Sequence, residues 1–248
     1  SKVLTEAVMR GYMTDAQKPV LITVGRSTER RPEFSLSEIK TLLKGFDGWI
    51  SLATEEQIEI RRLLKDYVEV LLDTGARPGR ELLELRWANL KWAEDKTKLI
   101  INFNLSKTGK RTAVGRTMAI VALERIAHRN YAHSLDELIL SQNPDHIFRH
   151  KSKYQKLIRP INFEKQMAFY LDYLKMLKCP ITGKPRTFYS IRHTYATFAL
   201  TYDKINIHTL ARQMGTSVVM IEKHYSHLDA EKAIEQLGGV KTRGLLVG

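Results

Sequence analysis

A mainly α-helical domain with a small antiparallel β-sheet, an α+β arrangement, is the fold class this sequence predicts. Three observations predict it. Residues 55–73 place apolar side chains at Ile60, Leu63, Leu64, Tyr67, Val68, Leu71 and Leu72, the 3.6-residue period of a core helix. Helical patterns resume at "TMAIVALERIAH", "SLDELILSQ" and "NFEKQMAFYLDYLKMLK", and then over residues 191–202, 206–214 and 217–226. Between the first helix and these, "KLIINFNLSKTGKRTAVG" sets two strand-forming runs on either side of Lys107-Thr108-Gly109-Lys110, the composition of a β-hairpin.

Taken in order, residues 1–32 read as a short helical piece followed by "KPVLITVGRSTERRPEF", whose Pro, Gly and charge content is that of a linker. The expected division is therefore 1–32 and 33–248. In "FSLSEIKTLL" either Ser35 or Ser37 can cap a helix, with Glu38 in its first turn. The core helix stops at "DTGARPG", and "RELLELRW" reads as a short helix after it. The chain of 248 residues, 43% hydrophobic, is long enough to bury a proper core, and it shows neither internal repeats nor low-complexity tracts. It contains no run of about 18 apolar residues, and its start, "SKVLTEAVMRGYMTD", lacks the sections of a secretory signal, so a cytoplasmic location without a membrane partner is expected. Cys179 is the single cysteine, and no Cys/His cluster has metal-ligand spacing; neither a disulfide, a metal nor another cofactor is expected.

Charge narrows the class of partner. The 40 Lys and Arg exceed the 27 Asp and Glu, leaving +13. Such a balance favours phosphate-rich partners. The basic residues are interleaved with structure, as in "KTGKRTAVGR" and "RHKSKYQKLIRP", which fits a folded surface that follows a nucleic-acid backbone. A solvated basic face, or ribosomal or membrane-surface contacts, would carry the same charge.

Three stretches could carry chemistry. In "TGARPGRELLELRW", Arg77 sits on a tight turn before Pro78, where it could be structural or ligand-facing, and Glu81 is placed to hold its guanidinium by a bidentate pair. In "FYSIRHTYATFAL", Arg192 and His193 stand at a helix start with Tyr189 three residues before Arg192; helix N-termini favour phosphate, though an exposed basic first turn reads the same way. In "GTSVVMIEKHYSHL", Val218, Ile221 and Tyr225 share one helix face, so packing alone would account for Tyr225. His224 and His227 read as exposed helix-end histidines.

The order of these motifs, "TGARPG" with "ELLELRW", then "SKTGKR", "FYSIRHTYAT" and "MGTSVVMIEKHYSHL", resembles the tyrosine recombinase, or phage integrase, family over about residues 33–230. The nine residues from Thr216 to Tyr225 match the family's distance from its third-box histidine to its nucleophile. The resemblance implies the catalytic-domain fold of that family and a role for each matching residue. Arg77 and Arg192 would grip the scissile phosphate, Lys107 would protonate the leaving 5′ oxygen, and Tyr225 would attack phosphorus to form a 3′-phosphotyrosyl bond. No metal or ATP is implied, because fixed guanidiniums stabilise the developing charge and the covalent linkage conserves the bond energy. Two positions depart from the family: Tyr189 and Thr216 stand where it has histidines. Each hydroxyl can donate to a phosphate oxygen, but a phenol titrating at about 10 is a poor general base at neutral pH, and a threonine is a poorer one. The motif therefore names no base for Tyr225. The spacing from Arg77 to Glu81 is one residue longer than the family's commonest form.

The implied protein is a site-specific recombinase of a prophage or integrative element, acting in the cytoplasm on double-stranded DNA as a tetramer, with accessory DNA-bending proteins as further partners. Residues 1–32 would be the tail of an upstream DNA-binding domain, and "SHLDAEKAIEQLGGVKTRGLLVG" a C-terminal tail. Two alternatives share the basic surface: a DNA-binding module that has lost catalysis, and a type IB topoisomerase that relaxes supercoils as a monomer.

Overall fold

Regular structure starts with α1 (Lys2–Met9) and a 3-10 turn at Asp15–Gln17. Both lie in the first of two compact units, Ser1–Arg30 and Arg31–Gly248. The structure is a computed structural model that describes residues 2–19, 32–104 and 109–224.

The larger unit opens with α2 (Leu36–Ser51), whose cap is Ser35 and not Ser37. Ser35 Oγ accepts the Glu38 N–H at 3.2 Å and the Glu38 carboxylate accepts the Ser35 N–H at 2.8 Å, a reciprocal box that satisfies two donors at the helix start. Ile39, Leu42, Phe46 and Trp49 form its buried stripe. Next comes α3 (Glu55–Thr74), which packs against α2 and against three later helices: α5 (Thr117–Tyr131), α7 (Glu164–Tyr173) and α8 (Phe188–Thr201). Surrounded on so many sides, its second half buries polar residues along with Leu63, Leu64, Tyr67 and Val68. The buried carboxylates are paired, as burial requires. Asp66 meets Arg125 and Arg129, each at 2.6 Å, and Glu69 meets Arg125. Asp73 accepts the backbone N–H groups of Arg116 (2.6 Å) and Ala119 (3.1 Å), capping α5 from another helix.

Beyond the turn at Gly75–Gly79, "RELLELRW" forms only one turn of helix, α4 (Arg80–Leu83), and a 3-10 turn at Trp87–Asn89. Three antiparallel strands follow in the order β1 (Leu90–Trp92), β2 (Leu99–Phe103), β3 (Arg111–Gly115). The expected hairpin is β2–β3, in register from Leu99 opposite Gly115 to Phe103 opposite Arg111. After α5 come α6 (Leu135–Leu140) and a two-stranded ribbon that the sequence patterns do not announce, β4 (His150–Lys151) with β5 (Leu157–Ile158). Helix α7 ends at Tyr173, before Lys175 turns left-handed at φ 56°, shorter than the pattern through Lys178 suggested. Helix α9 (Ile207–Met214) and helical residues 218–224 complete the described chain.

Two cores hold these elements. The larger joins α2, α3, α5, α7 and the three-stranded sheet; the smaller joins Tyr195, Ala196, Ala199 and Leu200 of α8 to Leu210, Ala211 and Met214 of α9 and to Ile221. The smaller core thereby ties the last described helix to α8. Among the described residues no helix is long and apolar enough to cross a membrane.

Candidate active site

The turn after α3 is set by a left-handed residue. Gly75, at φ 61°, caps α3 by donating to the Leu71 carbonyl at 2.9 Å, and the Tyr195 ring lies where a β-carbon would go. Glycine alone suits a position that is both left-handed and covered. The far end of the turn is pinned by Tyr67, whose hydroxyl accepts the Gly79 N–H at 2.8 Å and whose ring packs on Phe148, Phe163 and Phe188. Burial pushes the Tyr67 phenol well above its ordinary range, so it stays neutral.

Arg77 projects from this pinned turn. Its backbone N–H donates to Glu81 Oε1 at 3.0 Å, its Nη1 lies 3.5 Å from Glu81 Oε2, and its Nη2 donates to the Gly215 carbonyl. The expected bidentate grip of Glu81 on the guanidinium is thus divided: one carboxylate oxygen serves the turn's backbone and the other the side chain. Glu81 Oε1 also accepts from Arg111 Nη2. Arg111, stacked 4.3 Å from the Phe103 ring centre, donates Nη1 to the Gln213 carbonyl at 2.6 Å. A buried carboxylate is thereby shared by two arginines, one from the turn and one from β3.

Arg192 approaches from the other side. It is buried in the second turn of α8 and donates Nη1 to the Gly75 carbonyl at 2.6 Å, two residues before Arg77. Helix α8 is capped at its start by Thr187, which accepts the Tyr189 N–H at 3.2 Å, and held at its middle by Thr194, which accepts the Phe34 N–H at 2.9 Å. Tyr189, 48% exposed, lines with Pro78 and Gly79 a cleft of about 340 Å³ beside the Arg77 turn. Gly215, left-handed at φ 64°, ends α9, and the half-buried Thr216 follows with its N–H on the Ala211 carbonyl at 2.9 Å. His193 packs its ring against His224, centroids 5.8 Å apart and edge to face. His224 is accordingly half-buried, where an exposed helix-end histidine was expected.

Of the residues singled out in the sequence, Arg77, Glu81, Arg192 and the Gly215-Thr216 turn are drawn together by these bonds, and Tyr189 borders the same turn. Lys107, between β2 and β3, and Tyr225, directly after residues 218–224, lie outside the described residues. Sequence reasoning missed Arg111 and Gln213. Gln213 fastens α9 to the sheet edge, exchanging hydrogen bonds with the Val114 N–H (2.9 Å) and carbonyl (2.8 Å) and donating to the Thr74 carbonyl at 3.0 Å. Strand alternation could have found Arg111, because residues two apart share a face and Ala113 and Gly115 point inward. Among the described residues no group of His, Cys, Asp and Glu could hold a metal ion.

No family model and no curated protein sequence matches the chain. Solved structures do match it. The XerH site-specific recombinase bound to difH substrate, in a pre-cleavage complex, is 14% identical with a TM-score of 0.55; the match covers 81% of this chain and 51% of that one. The Tn1549 transposon integrase in complex with a circular intermediate DNA is 14% identical with a TM-score of 0.61, over 95% of this chain and 76% of that one. A lambda integrase dimer bound to a COC′ core site is 18% identical with a TM-score of 0.56, over 90% and 56%. The chain spans about half the length of the XerH chain it matches. At these identities the likeness is one of fold, and the fold is that of the tyrosine recombinase catalytic domain.

Proposed function

We propose that residues 33–248 are the catalytic domain of a site-specific DNA recombinase of a prophage or integrative element, with residues 1–32 the tail of an upstream DNA-binding domain. The observation that carries this reading is the pair of arginines far apart in sequence, Arg77 and Arg192, anchored to the carbonyls of Gly215 and Gly75 around one turn. Fixed, permanently charged donors of this kind stabilise a phosphorane-like transition state without a metal. The DNA-bound states named for the XerH, Tn1549 and lambda proteins support DNA as the substrate.

In this scheme the Tyr225 oxygen attacks phosphorus, its proton passes to a base, and the P–O5′ bond breaks as Lys107 protonates the leaving oxygen. A 5′ hydroxyl of a partner strand then attacks the 3′-phosphotyrosyl bond and releases the tyrosine. Tyr189 and Thr216 donate hydrogen bonds to the non-bridging oxygens, and Glu81 and His193 support the arginines. A tetramer assembled on DNA, aided by DNA-bending proteins, would exchange the strands.

Covalent trapping on nicked duplexes of randomised sequence tests the reading. A nick lets the short 5′ product diffuse away, so attack leaves a denaturation-resistant protein–DNA band. The parent should give the band and Tyr225→Phe should not, while binding DNA with similar affinity. Equal bands from both would remove Tyr225 as nucleophile. Binding without a band from either, with the upstream domain restored, would leave a DNA-binding module that lacks catalysis.

A further inference from the structure

No acidic residue occurs between Asp145 and Glu164, and that stretch carries Arg149, Lys151, Lys153, Lys156 and Arg159. The structure folds it into the β4–β5 ribbon and treats its charges in two ways. At the root they are neutralised. Arg149 pairs with Asp145 at 2.8 Å and donates to the Leu157 carbonyl, and Arg159 pairs with Glu84 at 2.8 Å. The root is also hydrogen-bonded to the segment after α4, through Ile147 N–H to the Leu85 carbonyl at 2.9 Å.

At the tip they are not neutralised. Lys151, Lys153 and Lys156 make no ion pair among the described residues. The tip is nonetheless an ordered turn: Ser152 N–H donates to the Lys156 carbonyl at 2.8 Å, Gln155 N–H to the Ser152 carbonyl at 2.9 Å, and Gln155 is left-handed at φ 58°. Between the lysines it presents Tyr154, 74% exposed, with Lys153 Nζ 5.2 Å from the ring centre. Three like charges held within six residues repel one another, and an aromatic ring held in water forgoes the stabilisation that burial would give it. A polyanion with flat apolar faces would relieve both conditions.

We propose that the β4–β5 tip is a second DNA-contact element, distinct from the arginine pocket, in which Lys151, Lys153 and Lys156 lie on backbone phosphates and Tyr154 packs on a sugar or base. It rests on the reading of DNA as the substrate. Phosphate contacts of this kind position a duplex without reading its sequence.

The test is equilibrium binding to a labelled random-sequence duplex across a salt series, with melting temperature as the check on folding. Each phosphate contact contributes about 0.9 to the slope of log affinity against log salt, so Lys151→Gln/Lys153→Gln/Lys156→Gln should flatten that slope by about 2–3. Tyr154→Ala should weaken binding about ten-fold and leave the slope unchanged. A control that removes the same charge elsewhere, Lys91→Gln/Lys96→Gln/Lys98→Gln beside Glu94 and Asp95, should change the slope less. Equal slopes for the parent and the tip variant, or equal losses in tip and control variants, would overturn the proposal. A parent that binds no duplex would instead bring down the substrate reading on which it rests.

Discussion

Neutralising Glu81 isolates what its carboxylate does, because Glu81→Gln keeps the shape and removes the charge. The side chain is 4% exposed and receives the Arg77 N–H at 3.0 Å, Arg77 Nη1 at 3.5 Å and Arg111 Nη2. Arg111 is itself only 8% exposed at its side chain. The glutamine leaves Arg111 a buried cation with no counter-charge, a change that costs about 3–5 kcal/mol when one partner of a buried pair is removed. In a chain of this size each kcal/mol lowers the melting temperature by roughly 2–4 °C, so the expected loss is roughly 6–20 °C. Replacing Arg111 by Met as well removes the stranded charge. The double variant should therefore recover part of the loss, with a coupling of about 1–3 kcal/mol in a double-mutant cycle. Denaturant unfolding followed by circular dichroism measures all four corners. A single-variant loss below about 1 kcal/mol, or strict additivity, would show that Glu81 does not hold Arg111, and the shared-carboxylate account would fall.

Gly75→Ala should destabilise the domain by about 1–2 kcal/mol for the left-handed backbone and by about 1–3 more for the collision with Tyr195, read as a shift in denaturant midpoint. Asp73→Ala should cost at least ~2 kcal/mol, since it strips two backbone donors at the start of α5 and the Arg116 side chain of their acceptor, whereas Asp73→Asn should recover part of that loss by calorimetry. Glu38 sets a pH dependence. Burial opposes its ionisation, but the Ser35 N–H and Arg186 outweigh that and hold its carboxyl below the ordinary value of 4.5. A carboxyl depressed on folding contributes stability above its unfolded value and loses it as pH falls through the folded one. The margin of the parent over Glu38→Gln should therefore be full at neutral pH and shrink below about pH 4.5, as thermal melts across that range would show.

The apolar period of α3 and the strands around Lys107–Lys110 were legible because local pattern and tertiary role agree there. The cap of α2 was half legible, and the box formed with Glu38 decides between Ser35 and Ser37. What could not be read depends on partners distant in sequence. Asp66, Glu69 and Asp73 look like the polar face of an amphipathic helix, yet each is buried, because Arg116, Arg125 and Arg129 arrive with α5 to cover them. Strand β1 and the β4–β5 ribbon are too short to show an alternation. In the candidate site Arg77 and Arg192 were visible as residue types and Glu81 as a partner for Arg77, but the Gly215 and Gly75 carbonyls that anchor the two arginines were not, since a backbone carbonyl leaves no trace in sequence.

Those anchors bear most directly on chemistry. A guanidinium has five N–H donors, and a flexible arginine would lose side-chain entropy on meeting a phosphate. Among the described residues Arg77 commits one donor to the Gly215 carbonyl and one to Glu81, which leaves three. Its position is thus set before any ligand arrives, and the cost of ordering it falls on folding instead of on binding. The same contact explains why the Gly215 turn follows α9: a left-handed residue there turns its carbonyl toward Arg77 while its bare α-carbon admits the Arg111 side chain. Glu81 meets both Arg77 and Arg111, so its single negative charge is shared between two guanidiniums. A turn, a strand and the ends of two helices are thereby coupled through backbone carbonyls, and in the proposed reading the guanidiniums of Arg77 and Arg192 would meet a phosphate with their positions already set.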